Sequence, residues 1–211
     1  MKRQIKHMLQ KMGAFEYVKY SKVFSLYESI FNPQARQKHH GELKLYRSFL
    51  SPCNLIFDIG ANDGHKTAAF LEIAKKVVCC EPDPRSFHTL QTRFRSKKNR
   101  VALVNKAVSN HQGEASLSIH HGGSAFNTLN KKWIDILEKD NLQRWNEKIH
   151  FTESVSVKLT TLDDLIDQYG IPDFIKIDVE GSELQVLKGL NTKVPLLSFE
   201  CLLPEFMPEL R

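Results

Sequence analysis

Residues Asn54 to Thr67 read Asn-Leu-Ile-Phe-Asp-Ile-Gly-Ala-Asn-Asp-Gly-His-Lys-Thr, and the rest of the chain is best understood from them. The apolar run at the start predicts a buried strand that ends at Gly60, and residues Lys66 to Lys76 have helical character. A strand that turns this tightly into a helix is where doubly wound α/β folds bind a nucleotide. We expect Gly60 and Gly64 to let the backbone approach such a ligand, because neither has a Cβ atom.

The next apolar run predicts a second strand over Lys76 to Cys80, followed by Glu81. That carboxylate comes about 20 residues after the turn, where an acidic residue meets the ribose hydroxyls of a bound nucleotide. The glycine pattern of a dinucleotide site is incomplete, because Asn62 and His65 stand where it has small residues. Asp58 would repel a pyrophosphate but attract an ammonium group. These features favour S-adenosylmethionine and disfavour a nicotinamide oxidoreductase.

Four motifs follow one another in order along the chain. They are Phe57-Asp-Ile-Gly-Ala-Asn-Asp-Gly64, Cys80-Glu-Pro-Asp-Pro84, Phe174-Ile-Lys-Ile-Asp-Val-Glu-Gly-Ser-Glu-Leu-Gln-Val-Leu-Lys-Gly189 and Leu197-Ser-Phe-Glu200. Together they resemble the FkbM family of S-adenosylmethionine-dependent methyltransferases, over Asn54 to Glu200. The resemblance implies a Rossmann-like, doubly wound and mostly parallel α/β sheet of the class I methyltransferase type. It also implies O-methylation of a sugar, a glycan or another small molecule.

The cofactor is expected to contact residues at the carboxyl ends of the strands. The backbone of Ala107 or Val108 is assigned to the adenine by the resemblance alone. The full expected set is Asp58, Gly60, Asn62, Gly64, Thr67, Glu81, Pro82, Ala107, Val108 and Asp178.

The fourth parallel strand, Asp173 to Val179, carries charges that a buried strand normally excludes. Lys176 and Asp178 fall on one face, and Glu180 follows at the rim where such sheets bind ligands. A hydroxyl acceptor must lose a proton during methylation, so a base is needed. We expect Asp178 to be this base, with Glu180 close behind and Lys176 orienting it. The structural alternative is an ion pair of Lys176 with a carboxylate at the end of the sheet.

Length and composition indicate a globular chain with one sizeable core, since it has 211 residues and 41% hydrophobic residues. The net charge is +6, but the basic residues are scattered, so nucleic acid is not expected as a partner. The four cysteines lack metal spacing and indicate reduced thiols in the cytoplasm. No apolar stretch is long enough for a membrane span. His120 and His121 would face opposite ways on a strand, and we predict no metal site.

Residues 1–50 are predicted to be a helical prefix to a methyltransferase domain over residues 51–211. Apolar residues of the prefix, such as Ile5 and Leu9, share one helical face. The prefix either packs on the domain, over the cofactor or in a homodimer, or makes a peripheral contact with an anionic membrane. Only Cys201 to Arg211 follow the fifth strand, so we expect the sheet to stop early, without its last strands.

Residues 114–159 are predicted to form a substrate-facing insertion. Alternation indicates an antiparallel ribbon of Glu114 to His120 with Ser154 to Leu159, and Lys131 to Trp145 has helical character. Trp133 and Trp145 either pack or stack on a sugar. Two functions stay open beside O-methylation, because a fold does not establish an activity: methylation of nucleic acid, and cofactor binding without catalysis.

Overall fold

The computed structural model describes residues 33–50, 52–139 and 148–201, together with Val18. The helices predicted before residue 32 lie outside the described residues, and so do Trp145 and residues 202–211. The prediction that the sheet stops early therefore falls on residues that are not described.

Within the described residues, a five-stranded parallel sheet forms the centre of the fold. β1 (Cys53–Ile59) lies in the middle, with β2 (Ala74–Cys80) and β3 (Val101–Val104) on one side and β7 (Phe174–Ile177) and β8 (Leu197–Phe199) on the other. The order is β3-β2-β1-β7-β8, and every pair is parallel. The chain winds outward from β1 in both directions, which creates a switch point where such sheets bind ligands. The predicted Rossmann-like sheet is confirmed.

Helices cover both faces of this sheet. They are α1 (Pro33–Phe49), α2 (His65–Phe70), α3 (Pro84–Arg93), α5 (Leu162–Tyr169) and α6 (Glu183–Lys188), while α4 (Lys131–Glu138) belongs to the insertion. Alternate residues of β1 enter two apolar clusters, Ile56 with Phe70 on one face and Phe57 with Leu165 on the other. The helix predicted over Lys66 to Lys76 is too long, because the chain already joins the sheet at Ala74.

A second, smaller sheet is built by the insertion. β5 (Gly113–Ile119) and β6 (Glu153–Thr160) form the predicted antiparallel ribbon, and the short β4 (Ala107–Val108) pairs with β6 in parallel. Trp133 of α4 is only 2% exposed and packs with Leu137, so the stacking hypothesis is wrong for this residue. No helix of the described residues is long and apolar enough to cross a bilayer.

The loops after the strands are held by buried side chains. Thr161 forms a capping box with Asp164 at the start of α5, whereas Ser182 precedes α6 without a side-chain cap bond. The Glu183 carboxylate instead accepts hydrogen bonds from the backbone N–H groups of Val179 (2.9 Å) and Gly181 (3.3 Å). These bonds fix the turn that follows β7.

The two glycines of the first turn are required by protein contacts. Both have positive φ angles, 74° at Gly60 and 77° at Gly64. A Cβ atom at Gly60 would lie 1.8 Å from the carbonyl oxygen of Asp178, and one at Gly64 would lie 2.6 Å from a ring carbon of Phe94. Close packing of the turn against β7 and α3 therefore requires both glycines, and Gly60 also lines the cleft described below.

Replacing Gly60 with alanine is expected to lower the free energy of unfolding by about 3 kcal/mol or more, because backbone strain and a backbone collision add. Gly170→Ala is the matched control, since Gly170 also has a positive φ of 96° but nothing within 4 Å of a new Cβ. Gly170→Ala should lower the free energy of unfolding by only about 1 kcal/mol. Chemical denaturation gives both values, and equal losses would show that the contact with Asp178 does not matter.

Candidate active site

A cleft opens at the carboxyl ends of β1, β2 and β7, beside the small sheet. It holds about 730 Å³ of space, including its open mouth. Of the residues expected from the sequence, it is lined by Gly60, Asn62, Glu81, Pro82, Ala107, Val108, Asp178 and Glu180. Its apolar wall includes Ile59, Val108 and Leu117. The arrangement brings most of the expected cofactor and catalytic residues together at one place.

Asp58 and Thr67 lie behind this cleft, although both were expected to contact the cofactor. Asp58 is fully buried, accepts a 2.5 Å hydrogen bond from the Thr67 hydroxyl and lies 3.2 Å from Nζ of Lys176. Its charge is thus neutralised inside the protein. The geometry gives Asp58 a structural place under the turn and does not bring it to an ammonium group in the cleft. Gly64 also packs inside and does not line the cleft.

Lys176 links β7 to the turn after β1. Its ammonium group donates to the carbonyl oxygens of Gly60 (2.8 Å) and Ile59 (3.3 Å), and it lies 3.2 Å from a carboxylate oxygen of Asp58 and of Asp178. Burial by itself would lower the pKa of Lys176, but the two carboxylates outweigh burial and raise it. Lys176 therefore stays charged and holds the end of the sheet, which is the structural alternative stated above.

Glu81 is held rigidly at the start of the cleft. Its carboxylate accepts hydrogen bonds from the backbone N–H groups of Asn62 (2.7 Å) and Asp83 (2.9 Å). Burial raises its pKa to about 7, although these two hydrogen bonds act in the opposite direction. Asn62 itself has a positive φ of 46°, which is a strained conformation of the kind that often occurs at functional sites. A carboxylate offers about four acceptor positions, so Glu81 can still accept from a ligand.

Three carboxylates meet after β7 and β8, with ligand oxygens of Asp178, Glu180 and Glu200 all within 4.8 Å of one another, and the first two of these residues line the cleft. Burial alone would raise the pKa of Asp178, but Lys176 and Lys66 outweigh it, and the pKa falls to about 2. Lys66 lies 3.1 Å from the Asp178 carboxylate. Asp178 is therefore a weak base, contrary to the expected order of the two candidates.

Glu180 has the opposite environment. Burial raises its pKa to about 8, and the negative charges of Asp178 and Glu200 add to this shift. Burial also raises the pKa of Glu200 to about 7, helped by its hydrogen bond with Asp178. Neighbouring carboxyl groups with separated pKa values are typical of acid and base assignments in enzymes. Of the two candidates, Glu180 is the one whose pKa suits proton transfer near neutral pH.

The insertion holds Glu180 in place, which the sequence did not reveal. Glu180 has a positive φ of 54°, and its carbonyl oxygen accepts a 2.7 Å hydrogen bond from the Thr128 hydroxyl. The side-chain amide of Asn130 donates to the next carbonyl, that of Gly181. Thr128 and Lys106 both line the cleft. The polar string from Ser124 to Thr128 was the available signal, but its pairing with the loop after β7 could not be seen.

Asp83 ties the second motif to the same insertion. Its carboxylate caps α3 at Arg85 and also accepts hydrogen bonds from the backbone of Gly123 (2.7 Å) and the side-chain amide of Asn127 (3.0 Å). Asn127 lines the cleft. His65, His120 and His121 do not line the cleft.

The chain is similar in sequence to known methyltransferases. The family model described as Methyltransferase FkbM domain matches residues 58–200. The 2-O-methyltransferase NoeI of Sinorhizobium fredii is 30% identical over 165 residues, covering 72% of this chain and 65% of the relative. The hexuronic acid methyltransferase AglP of Haloferax volcanii is 24% identical over 148 residues, covering 69% and 54%.

A crystal structure of methyltransferase FkbM from Methylobacillus flagellatus is also similar, with a TM-score of 0.43 and 21% identity over 66% of this chain and 29% of that one. The chain spans less than two thirds of the length of each of these relatives. The family match itself covers more than half of this chain and includes all the residues that line the cleft, from Ile59 to Ser182. The protein belongs to the FkbM family of methyltransferases.

Proposed function

We propose that the chain is an S-adenosylmethionine-dependent O-methyltransferase that acts on a hydroxyl group of a sugar. The proposal rests on two acidic residues that line one cleft, after the strands on either side of β1. Glu81 follows β2 and has a fixed carboxylate, and Glu180 follows β7 and has a raised pKa. The first suits a ribose and the second suits a base.

The residues of the cleft fit S-adenosylmethionine. Glu81 would accept from the ribose hydroxyls, and the apolar side chains of Ile59, Val108 and Leu117 would enclose the adenine. Asp178 lines the cleft, whereas Asp58 is buried behind it. The Asp178 carboxylate would therefore accept a hydrogen bond from the ammonium group of the cofactor. When bound, the cofactor supplies an activated methyl group.

The acceptor side depends on Glu180. A sugar hydroxyl is too weak an acid to ionise before it reacts, so a base must take its proton as the new bond forms. Glu180 would take this proton through its carboxylate, and Thr128 would hold the strained loop that presents it. Lys176 and Lys66 keep Asp178 ionised, and its charge keeps Glu180 basic.

The class of acceptor that we propose is based on the names of two relatives. NoeI is named a 2-O-methyltransferase and AglP a hexuronic acid methyltransferase. We propose a saccharide acceptor for this chain on that basis, and a cytoplasmic location because its cysteines are free and two adjacent ones, Cys79 and Cys80, are buried. A homodimer and a peripheral membrane contact stay predictions.

Replacing Glu81 with alanine is expected to weaken binding of S-adenosylmethionine at least tenfold, because two charge-assisted hydrogen bonds worth about 1.5–3 kcal/mol each are lost. Glu114→Ala, at a surface position on β5, is the matched control and should bind like the wild type. Calorimetric titration measures both, and the melting midpoints show whether the variants are folded. An unchanged dissociation constant in folded Glu81→Ala would remove Glu81 from the ribose site.

Two experiments test the proposed function as a whole. Titration with S-adenosylmethionine, its demethylated product and NAD should show binding of the first two only. A screen for transfer of a labelled methyl group should then find acceptors among saccharides and lipid-linked sugars but not in RNA. Preferential NAD binding, or transfer to RNA alone, would overturn the proposal.

A further inference from the structure

A second cluster of ligand-type side chains lies on the α1 side of the sheet. It consists of His39 and Glu42 of α1 and His65, the first residue of α2. One ligand atom from each residue lies within 4.8 Å of the other two. His39 and Glu42 are three positions apart, so they share one face of their helix. The fold thus brings together two imidazoles and a carboxylate from segments that are distant in the sequence.

The contact inside this cluster is short but unsatisfied. Nε2 of His65 and Oε2 of Glu42 lie 2.8 Å apart, and both atoms are shielded from solvent. Neither makes a hydrogen bond to any described residue. Buried polar atoms normally have a hydrogen-bond partner, and an ion that bridges them is one reason for an exception. A ring nitrogen and a carboxylate oxygen that meet this closely without hydrogen-bond geometry are both donor atoms suited to a cation.

The carboxylate of Glu72 orients His39, the third residue of the cluster. Nε2 of His39 lies 2.8 Å from Oε1 of Glu72, and Arg47 approaches the other oxygen of Glu72 at 3.8 Å. In the tautomer whose Nε2–H donates to this carboxylate, Nδ1 of His39 has a lone pair for a metal. Histidines that bind a metal usually donate their other ring N–H to such an outer carboxylate. Glu72 therefore supplies the outer contact that a metal site of this kind requires.

We propose that His39, Glu42 and His65 bind a Zn²⁺ ion. Two imidazoles and one carboxylate form a common three-ligand zinc set, with a fourth position for water. Mg²⁺ and Ca²⁺ are disfavoured, because they prefer oxygen ligands throughout. Zinc bonds of about 2.0–2.2 Å place tetrahedral ligand atoms about 3.4 Å apart. The ligand atoms of His65 and Glu42 must therefore move slightly apart from 2.8 Å, and the ring of His39 must move towards them. Both are small movements of partly exposed side chains.

The ion would connect α1 to the turn that forms the cofactor cleft. His65 follows Gly64 directly, and Lys66 beside it pairs with Asp178. Zinc would therefore fix α1 against the first residue of α2 and stabilise the folded chain, because it binds the native state in preference to the unfolded one. It would lie outside the cleft and take no part in methyl transfer. This differs from the sequence-based expectation of no metal, since the three residues have no recognisable spacing.

The test is zinc binding by the tag-free chain after removal of metals with a chelator. Competition with a chromophoric chelator and metal analysis after dialysis should give about one zinc ion per chain, with Mg²⁺ unable to compete. His65→Ala and Glu42→Gln should each weaken binding at least tenfold. His40→Ala is the matched control, because His40 is the exposed neighbour of His39 on α1 and should leave zinc affinity unchanged. Zinc should raise the melting midpoint of the wild type but not of His65→Ala.

Three results would overturn the site. They are no stoichiometric zinc in the wild type, unchanged affinity in both triad variants, or an equal loss in His40→Ala. If a triad variant fails to fold by circular dichroism, His39→Gln replaces it and is judged by the same tenfold criterion. Binding of S-adenosylmethionine is not needed for any of these measurements, so failure of the zinc site and failure of the proposed function are distinguishable.

Discussion

Replacing Glu180 with glutamine is expected to lower turnover by about 10²- to 10⁴-fold, the usual contribution of a general base. Glutamine keeps the size of the side chain and its hydrogen-bonding capacity but cannot take a proton. The affinity for S-adenosylmethionine should stay within a few-fold of the wild type, since the base acts on the acceptor. Turnover on an acceptor from the saccharide screen and calorimetry of the donor give the two values.

The pH dependence identifies the base independently. Since the pKa of Glu180 is raised to about 8, the carboxylate is mostly protonated at pH 6 and becomes competent as the pH rises. In the wild type, kcat/KM should therefore increase with pH through an apparent pKa near 8. Glu200→Gln removes one of the negative charges that raise this pKa, so it should move the rise to lower pH.

The substitution Asp178→Asn distinguishes Asp178 from Glu180, the two candidate bases that follow β7. Asp178 is ionised far below neutral pH, so it cannot be the group that gives this rise. If Asp178→Asn abolishes the rise in kcat/KM while Glu180→Gln keeps it together with wild-type turnover, the assignment is reversed and Asp178 is the base.

Replacing Lys176 with methionine is expected to lower the free energy of unfolding by about 3–5 kcal/mol, because removing one partner leaves a buried charge without compensation. The side chains of Lys176 and Asp58 are only 6% and 0% exposed. For a chain of this size, the melting midpoint should fall by about 2–4 °C for each kcal/mol. Methionine retains most of the aliphatic volume, so the loss reports the charge.

A double-mutant cycle with Asp58→Asn is the control for Lys176. Once the carboxylate is gone, Lys176→Met removes a weaker interaction, and the two changes should be non-additive by at least about 1 kcal/mol. Strict additivity, or a loss below about 1 kcal/mol for Lys176→Met alone, would show that the ion pair does not stabilise the end of the sheet.

The strand–turn–helix unit and the positions of Glu81 and Glu180 could be predicted because they depend on local patterns. A continuous apolar run predicts a buried parallel strand, and the carboxyl ends of such strands meet at one edge. Strict alternation likewise predicted the ribbon of β5 and β6, because one face of an antiparallel pair is buried. These features need no knowledge of which distant segments touch.

Other features depend on long-range contacts that one sequence does not show. Asp58 is placed away from the cleft because Lys176 and Thr67 close around it. The order of Asp178 and Glu180 as bases depends on Lys66 and Glu200, which come from other elements.

Thr128 and Asn127 were missed because their hydrogen-bond partners, Glu180 and Asp83, belong to segments that are distant in the sequence. The need for glycine at position 60 was recognised from the sequence, but its physical cause was not. A Cβ atom there would collide with the carbonyl oxygen of Asp178, which is distant in the sequence.

The most direct test is transfer of a carbon-13 methyl group from S-adenosylmethionine to a saccharide acceptor, followed by NMR of the product. We expect a new O-methyl resonance coupled to a sugar ring carbon with the wild type, and a rate at least about 100-fold lower with Glu180→Gln. A label found only on nitrogen or carbon, or equal rates for the two proteins, would contradict it.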